Sequence, residues 1–282
     1  MSQQEITLIL NAVLALGQVV SANSGGFQGP SIDDFFPASV LFAGTPFALD
    51  RVLLVRLFGT AVIIAILWIG STRLKVVPTR AQAAWEFLMD MPRQGIVYDT
   101  LGKKDGDRFM PILLTMFFGT LAWNLTGTIP GLQIASTGLI GQALLMAAIA
   151  YVTFIYAGIR KHGTGHFFKN TLWLPGVPIA IKPVIALLEF LSTFIVRPVT
   201  LTLRLTMNMV AGHMLLALCF LATNFFFFSV LGNGNALGFL GIGTFAFGIA
   251  FTVLELFIGV LQAYIFAILS AIYIQMALAD EH

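Results

Sequence analysis

The run PVTLTLRLTMNMVAGHMLLALCFLA carries one charge, Arg204. A guanidinium stays protonated in proteins, and holding it near mid-membrane costs roughly 2.5 kcal/mol or more unless water or a carboxylate compensates it. Ion translocation or coupling is the chemistry such a residue serves, and stapling two helices through carbonyls is the structural alternative. Asn208 lies four residues on, about 40° around a helix, so it shares the arginine's face and either orients the guanidinium or makes an interhelical hydrogen bond. His213 is nine residues past Arg204, about 13.5 Å along the axis and on the opposite side, where an imidazole suits proton exchange near neutrality or a satisfied core contact.

A second run, FGIAFTVLELFIGVLQAYIFAILS, holds Glu255 as its sole acid, and Gln262 follows two helical turns later at nearly the same azimuth. The proton affinity of Glu255 depends on burial and neighbouring charge, which makes it a relay candidate or a partner for histidine. If the two runs pack antiparallel, Glu255 approaches the level of His213 and Gln262 that of Arg204. Glu189 precedes Arg204 by about 22 Å of helix and marks either an inner water-filled vestibule or a solvated membrane edge.

The elements that position these groups are apolar throughout. Of 282 residues, 58% are hydrophobic and 10% charged, with 26 Phe. No Lys, Arg, Asp or Glu lies between Arg108 and Arg160, and Glu255 is the only one between Arg204 and Asp280. Tracts of this kind match a hydrocarbon core of roughly 30 Å, crossed by about 20 residues of helix. An ordinary soluble enzyme is excluded, and a net charge of +2 without a basic motif gives no case for nucleic acid.

The chain reads as an all-α polytopic membrane protein with about five transmembrane helices, at about 52–71, 109–127, 138–159, 181–229 and 237–278. Residues 80–98, with Arg80, Glu86, Asp90 and Arg93 among apolar positions, read as an interfacial amphipathic helix. The last two runs are about twice the bilayer thickness as straight helices, so they must tilt, bend or break. Residues 1–50 form an N-terminal extramembrane or interfacial segment with a surface or packed helix at 6–19, and 51–282 form the membrane domain. The basic connections 72–108 and 160–182 place those loops, and the C-terminus, in the cytoplasm and the N-terminus outside; Arg51 and Arg56 count against this and are outweighed. No fixed-period repeat, phosphate loop or HExxH motif is present.

The segments PVTLTLRLTMNMVAGH, from Pro198 to His213, and ELFIGVLQAYIFAILSAIY, from Glu255 to Tyr273, together resemble subunit a of the membrane sector of bacterial rotary F-type ATP synthases. The resemblance implies that Arg204 is the family arginine, with Asn208 and Gln262 as its companions. It also implies an outer acid–histidine pair that is swapped here, with His213 in the usual acid position and Glu255 in the usual histidine position. The usual Leu-Phe-Gly-Asn after the arginine is Leu-Thr-Met-Asn, through Thr206 and Met207.

At the level of function, the resemblance implies a stator subunit, non-catalytic for ATP chemistry, in the bacterial plasma membrane. Its two long helices would face a rotor ring of c subunits, with peripheral-stalk b subunits, the remaining complex and membrane lipids as further partners. Two offset half-channels would carry H⁺, with Na⁺ less favoured, and no intrinsic cofactor or metal is implied. A self-contained polar-solute transporter and a structural scaffold of a membrane complex are the competing readings.

Overall fold

The computed structural model describes residues 29, 39–41, 49–72, 75, 79–128, 138–167, 181–232 and 234–279. The N-terminal helix expected at 6–19 lies outside the described residues. Two short strands, β1 (Ser39–Leu41) and β2 (Leu49–Asp50), pair antiparallel, with Ser39 opposite Asp50 and Leu41 opposite Leu49.

Helix α1 (Arg51–Thr72) starts directly after β2 and is apolar apart from Arg51, Arg56 and the hydroxyl residues Thr60, Ser71 and Thr72. Helix α2 (Arg80–Pro92) is capped by Thr79, whose hydroxyl accepts from the Gln82 amide at 3.3 Å. The Gln82 side chain also brackets the preceding link, accepting from Lys75 N at 3.0 Å and donating to Lys75 O at 2.9 Å. A π-helical stretch at Arg93–Tyr98 follows Pro92 and leads into α3 (Asp99–Thr128). Gly102, with φ 70° and ψ 175°, breaks α3 just before its charged KKDGDR turn. The segment read as a separate interfacial helix is therefore joined through this π stretch and glycine break to the apolar run that begins at Phe109.

Helix α4 (Ile140–His162) places Arg160, Lys161 and His162 in its last turn, complementing the negative end of the helix dipole, and stops at Gly163 with φ 80°. The first of the two long C-terminal runs is interrupted by π stretches, whereas the second continues as one helix. Helix α5 (Lys182–Phe190) passes through a π stretch at Leu191–Val196 into α6 (Arg197–Asn224), which ends in another at Phe225–Leu231. A 3₁₀ turn at Ala236–Phe239 then opens the 39-residue α7 (Leu240–Leu278).

Five helical stretches are long and apolar enough to cross a membrane: Val52–Thr72, Arg80–Thr128, Ile140–His162, Lys182–Leu231 and Ala236–Leu278. The chain is an all-α, multi-pass integral membrane protein in its membrane-crossing part. It divides into two compact units, with Ala211–Glu255 in one and Pro37–Val210 with Leu256–His282 in the other.

The larger unit has a dense core. On α7, Ala263, Ala267 and Ala271 are fully buried at four-residue spacing, sharing a core with Leu113, Phe117, Phe118 and Phe154. Helices in lipid gain little from leaving an apolar solvent for an apolar partner, so close van der Waals contact through small residues holds them together. In the smaller unit Phe220 packs edge-on to Phe245 at 6.5 Å between centroids, and the hydroxyls of Thr223 and Thr244 lie 2.9 Å apart.

Gly102 occupies a backbone region open essentially only to glycine, so Gly102→Ala is expected to destabilise the protein by about 1–3 kcal/mol. Gly119→Ala, within the same helix and facing open space, is expected to be neutral or to stabilise by about 0.5–1 kcal/mol. Thermal unfolding of the purified full chain in detergent compares them, and identical melting of the two variants would contradict the strain assigned to Gly102.

Candidate functional site

Helix α6 is two-faced around Arg204. Leu201, Thr202, Leu205, Thr206 and Met209 are buried, whereas Leu203, Arg204 and Met207 are exposed. This three-to-four-residue alternation is the helical period, and it presents the guanidinium on an otherwise apolar surface. Among the described residues Arg204 has no hydrogen bond or ion pair. Its charge is thus uncompensated among the described residues.

Asn208 shares the arginine's side of α6, and its Nδ2 donates to Oε1 of Gln262 on α7 at 2.9 Å. Gln262 is 3% exposed, and its own Nε2 is buried without a hydrogen-bond partner among the described residues. One turn earlier on α7, the carbonyl of Gly259 accepts from Nδ2 of Asn124 on α3 at 2.9 Å. A Cβ on Gly259 would sit 3.4 Å from that of Asn124, an ordinary van der Waals contact. Asn124 is buried, and its Asn-Leu-Thr sequence is no accessible glycosylation acceptor.

The two residues that depart from the family pattern behave differently. Thr206 is buried, its hydroxyl without a hydrogen-bond partner among the described residues, while Met207 is 57% exposed beside the arginine. Arg197 serves anchoring: its Cζ lies 5.4 Å from the Tyr273 ring centroid and its Nη1 is 3.9 Å from Met276 Sδ. Glu189 is half-buried on α5 and, among the described residues, forms no ion pair. The structure brings Asn208 to Gln262 and leaves Glu189 apart from both.

In the smaller unit Glu255 is 5% exposed, and neither carboxyl oxygen has a hydrogen-bond partner among the described residues. It lies against Gly212, where a Cβ would come within 2.9 Å of Oε1. Half-buried His213 is the next residue on α6. A buried carboxyl group without a donor is costly unless it holds a proton or meets water, so this placement suits reversible protonation. Gly212 and Asn124 are the residues that sequence reasoning left out of the site. Their signal is weak, because each matters only through a contact with a distant helix. Among the described residues, no three His, Cys, Asp or Glu side chains gather as a metal ion would need.

Comparison with known proteins agrees with these features. The ATP synthase A chain family profile matches residues 53–275. The chain is similar to ATP synthase subunit a of Rhodococcus erythropolis, 46% identical over 257 residues covering 91% of this chain and 92% of that one. It is similar also to the same-named proteins of Streptomyces lividans, at 36% over 83% and 81% of the two chains, and of Gluconobacter oxydans, at 38% over 80% and 87%.

The Asn208–Gln262 bond is expected to give a non-additive pair. Asn208→Ala strands a buried amide already short of one partner, at a cost of about 1–3 kcal/mol, whereas adding Gln262→Leu recovers part of that loss. Chemical unfolding of the four proteins in the cycle measures the coupling, and strictly additive losses would contradict it.

Proposed function

The chain belongs to the ATP synthase A chain family, and on that premise we propose how its residues carry protons past a rotor. It is the non-catalytic stator subunit of the proton channel of an F-type ATP synthase. In our reading its partners are a ring of c subunits, each with a lipid-facing carboxyl group, the peripheral-stalk b subunits and the rest of the complex. It resides in the bacterial plasma membrane with its N-terminus outside and its C-terminus in the cytoplasm.

Protons enter from outside by way of Glu255 and His213 and are handed to a ring carboxylate. The neutral acid then rotates through lipid, where a carboxylate would be excluded by its desolvation cost. After the turn the acid meets the inner half-channel, to which we assign Glu189, and releases its proton. Arg204 supplies the asymmetry. Its fixed charge favours deprotonation of the arriving acid and repels protons that would pass directly between the half-channels. Asn208 and Gln262 hold the polar ground beside it.

The observation that carries this reading is the exposed, uncompensated Arg204 on an apolar helix face. A surface charge in lipid without a partner among the described residues fits a partner carboxylate that comes and goes. The unpartnered Glu255 carboxyl supports a proton site in the same way. Proton is the ion that an acid–imidazole pair serves. Sodium coupling would depend on ring ligands.

Replacing Arg204 by Ala removes the fixed positive charge that drives deprotonation of the ring acid, so ATP-driven proton pumping by the complete complex in proteoliposomes should fall to near background. Parent and variant are compared at equal assembly and ATPase content, and equal pumping would return the scaffold reading. Glu255→Gln should slow pumping by about tenfold or more, with Glu255→Asp intermediate. A full rate at every pH in the Gln variant would remove Glu255 from the pathway.

A further inference from the structure

Away from Arg204, two other guanidiniums converge on a single oxygen. Arg108 of α3 donates through Nη2 to the Tyr156 hydroxyl of α4 at 3.2 Å, and Arg160 donates through Nη1 to the same hydroxyl at 2.6 Å. The Cζ atoms of Arg108 and Arg160 also lie 5.5 and 6.0 Å from the Tyr156 ring centroid. All three residues are exposed. Among the described residues neither arginine has a carboxylate within ion-pair distance. The nearby Asp107 accepts instead from the Tyr98 hydroxyl at 2.7 Å, and Asp105, three residues before Arg108, forms no ion pair with it. Two like charges held on one neutral oxygen repel each other, and one hydroxyl cannot neutralise them.

The location points to what does. Arg108 immediately precedes the charge-free run that starts at Phe109, and Arg160 ends it. Both therefore stand where apolar chain meets the basic side of the membrane. On α4, Val152, Ile149 and Leu145 continue from Tyr156 along one face, within about 40° of it by helical geometry. They are 66%, 36% and 53% exposed. A doubly cationic head thus stands above an apolar, outward-facing strip.

We propose that Arg108, Tyr156 and Arg160 bind the phosphate headgroup of an anionic phospholipid whose acyl chain lies along Val152, Ile149 and Leu145. Guanidinium forks match phosphate oxygens in geometry and charge, and the tyrosine orients both forks before the ligand arrives. A free oxyanion would satisfy the head alone, and only a lipid uses both head and strip. The site is independent of the proton pathway and shares no residue with it.

The test uses the complete complex in phosphatidylcholine vesicles doped with photoactivatable phosphatidylglycerol, with labelled peptides then mapped. Labelling across 145–160 is expected in the parent and should fall severalfold in Arg108→Gln/Arg160→Gln, while an equally photoactive phosphatidylcholine labels both proteins weakly and alike. If the double variant fails to assemble, the two single variants should each show a partial loss. Parent-level labelling in the variants, or equal labelling by both lipids, overturns the proposal. Displacement of phosphatidylglycerol by excess inorganic phosphate would reassign the head to a free anion. Labelling of the isolated chain but not of the complex would assign this face to a protein partner.

Discussion

The bilayer interior offers no water, so a charge or hydrogen-bonding group placed there must be satisfied by the chain, shielded by a partner or used. Most of this protein obeys the first alternative. Thr60 binds back to the Arg56 carbonyl, Thr202 to that of Pro198 and Ser270 to that of Phe266, each one turn earlier on its own helix. Among the described residues Arg204 and Glu255 have no partner, and they are the ionisable groups to which the proposed function gives roles. One is exposed and the other buried, which suits a group that meets a moving partner and a group that holds a proton.

The same solvent explains how the helices are held. Without a hydrophobic gain on association, close contact needs small residues, and α7 supplies them at Ala263, Ala267, Ala271 and Gly259. On the same helix Phe266 shares a core with Leu201 and Leu205 of α6, and Gln262 lies within hydrogen-bond reach of Asn208. In the smaller unit Gly212 plays a comparable part by leaving room for the Glu255 carboxyl. Packing and the proposed proton site are linked at Gly212, because a methyl group there would come within 2.9 Å of the Glu255 carboxyl oxygen.

The basic side of the protein follows a different rule. Charges there have water and lipid headgroups to meet, so like-charged side chains can gather. Arg93 approaches Tyr98 and Asp90, and Arg108 with Arg160 approach Tyr156. Tyrosine recurs because its ring faces apolar chain and its hydroxyl faces the polar boundary. The π stretches and glycine break fall where long helical runs would otherwise continue unbent, at Arg93–Tyr98, Leu191–Val196 and Gly102.

By itself the sequence determined the class and most of the chemistry. Charge-free tracts long enough to cross lipid are a one-dimensional property, and the cost of burying Arg204 or Glu255 is legible without coordinates. Helical periodicity, also local, put Asn208 on the arginine's side of α6. Only the tertiary structure decided which side chains meet: that Gln262 bonds Asn208, that Glu255 rests on Gly212, that Asn124 is committed to the Gly259 carbonyl, and that two arginines share Tyr156. All but the Arg160–Tyr156 contact join residues tens of positions apart, and they depend on the separation and rotation of whole helices. Small-residue seams set these quantities jointly, and no single helix encodes them.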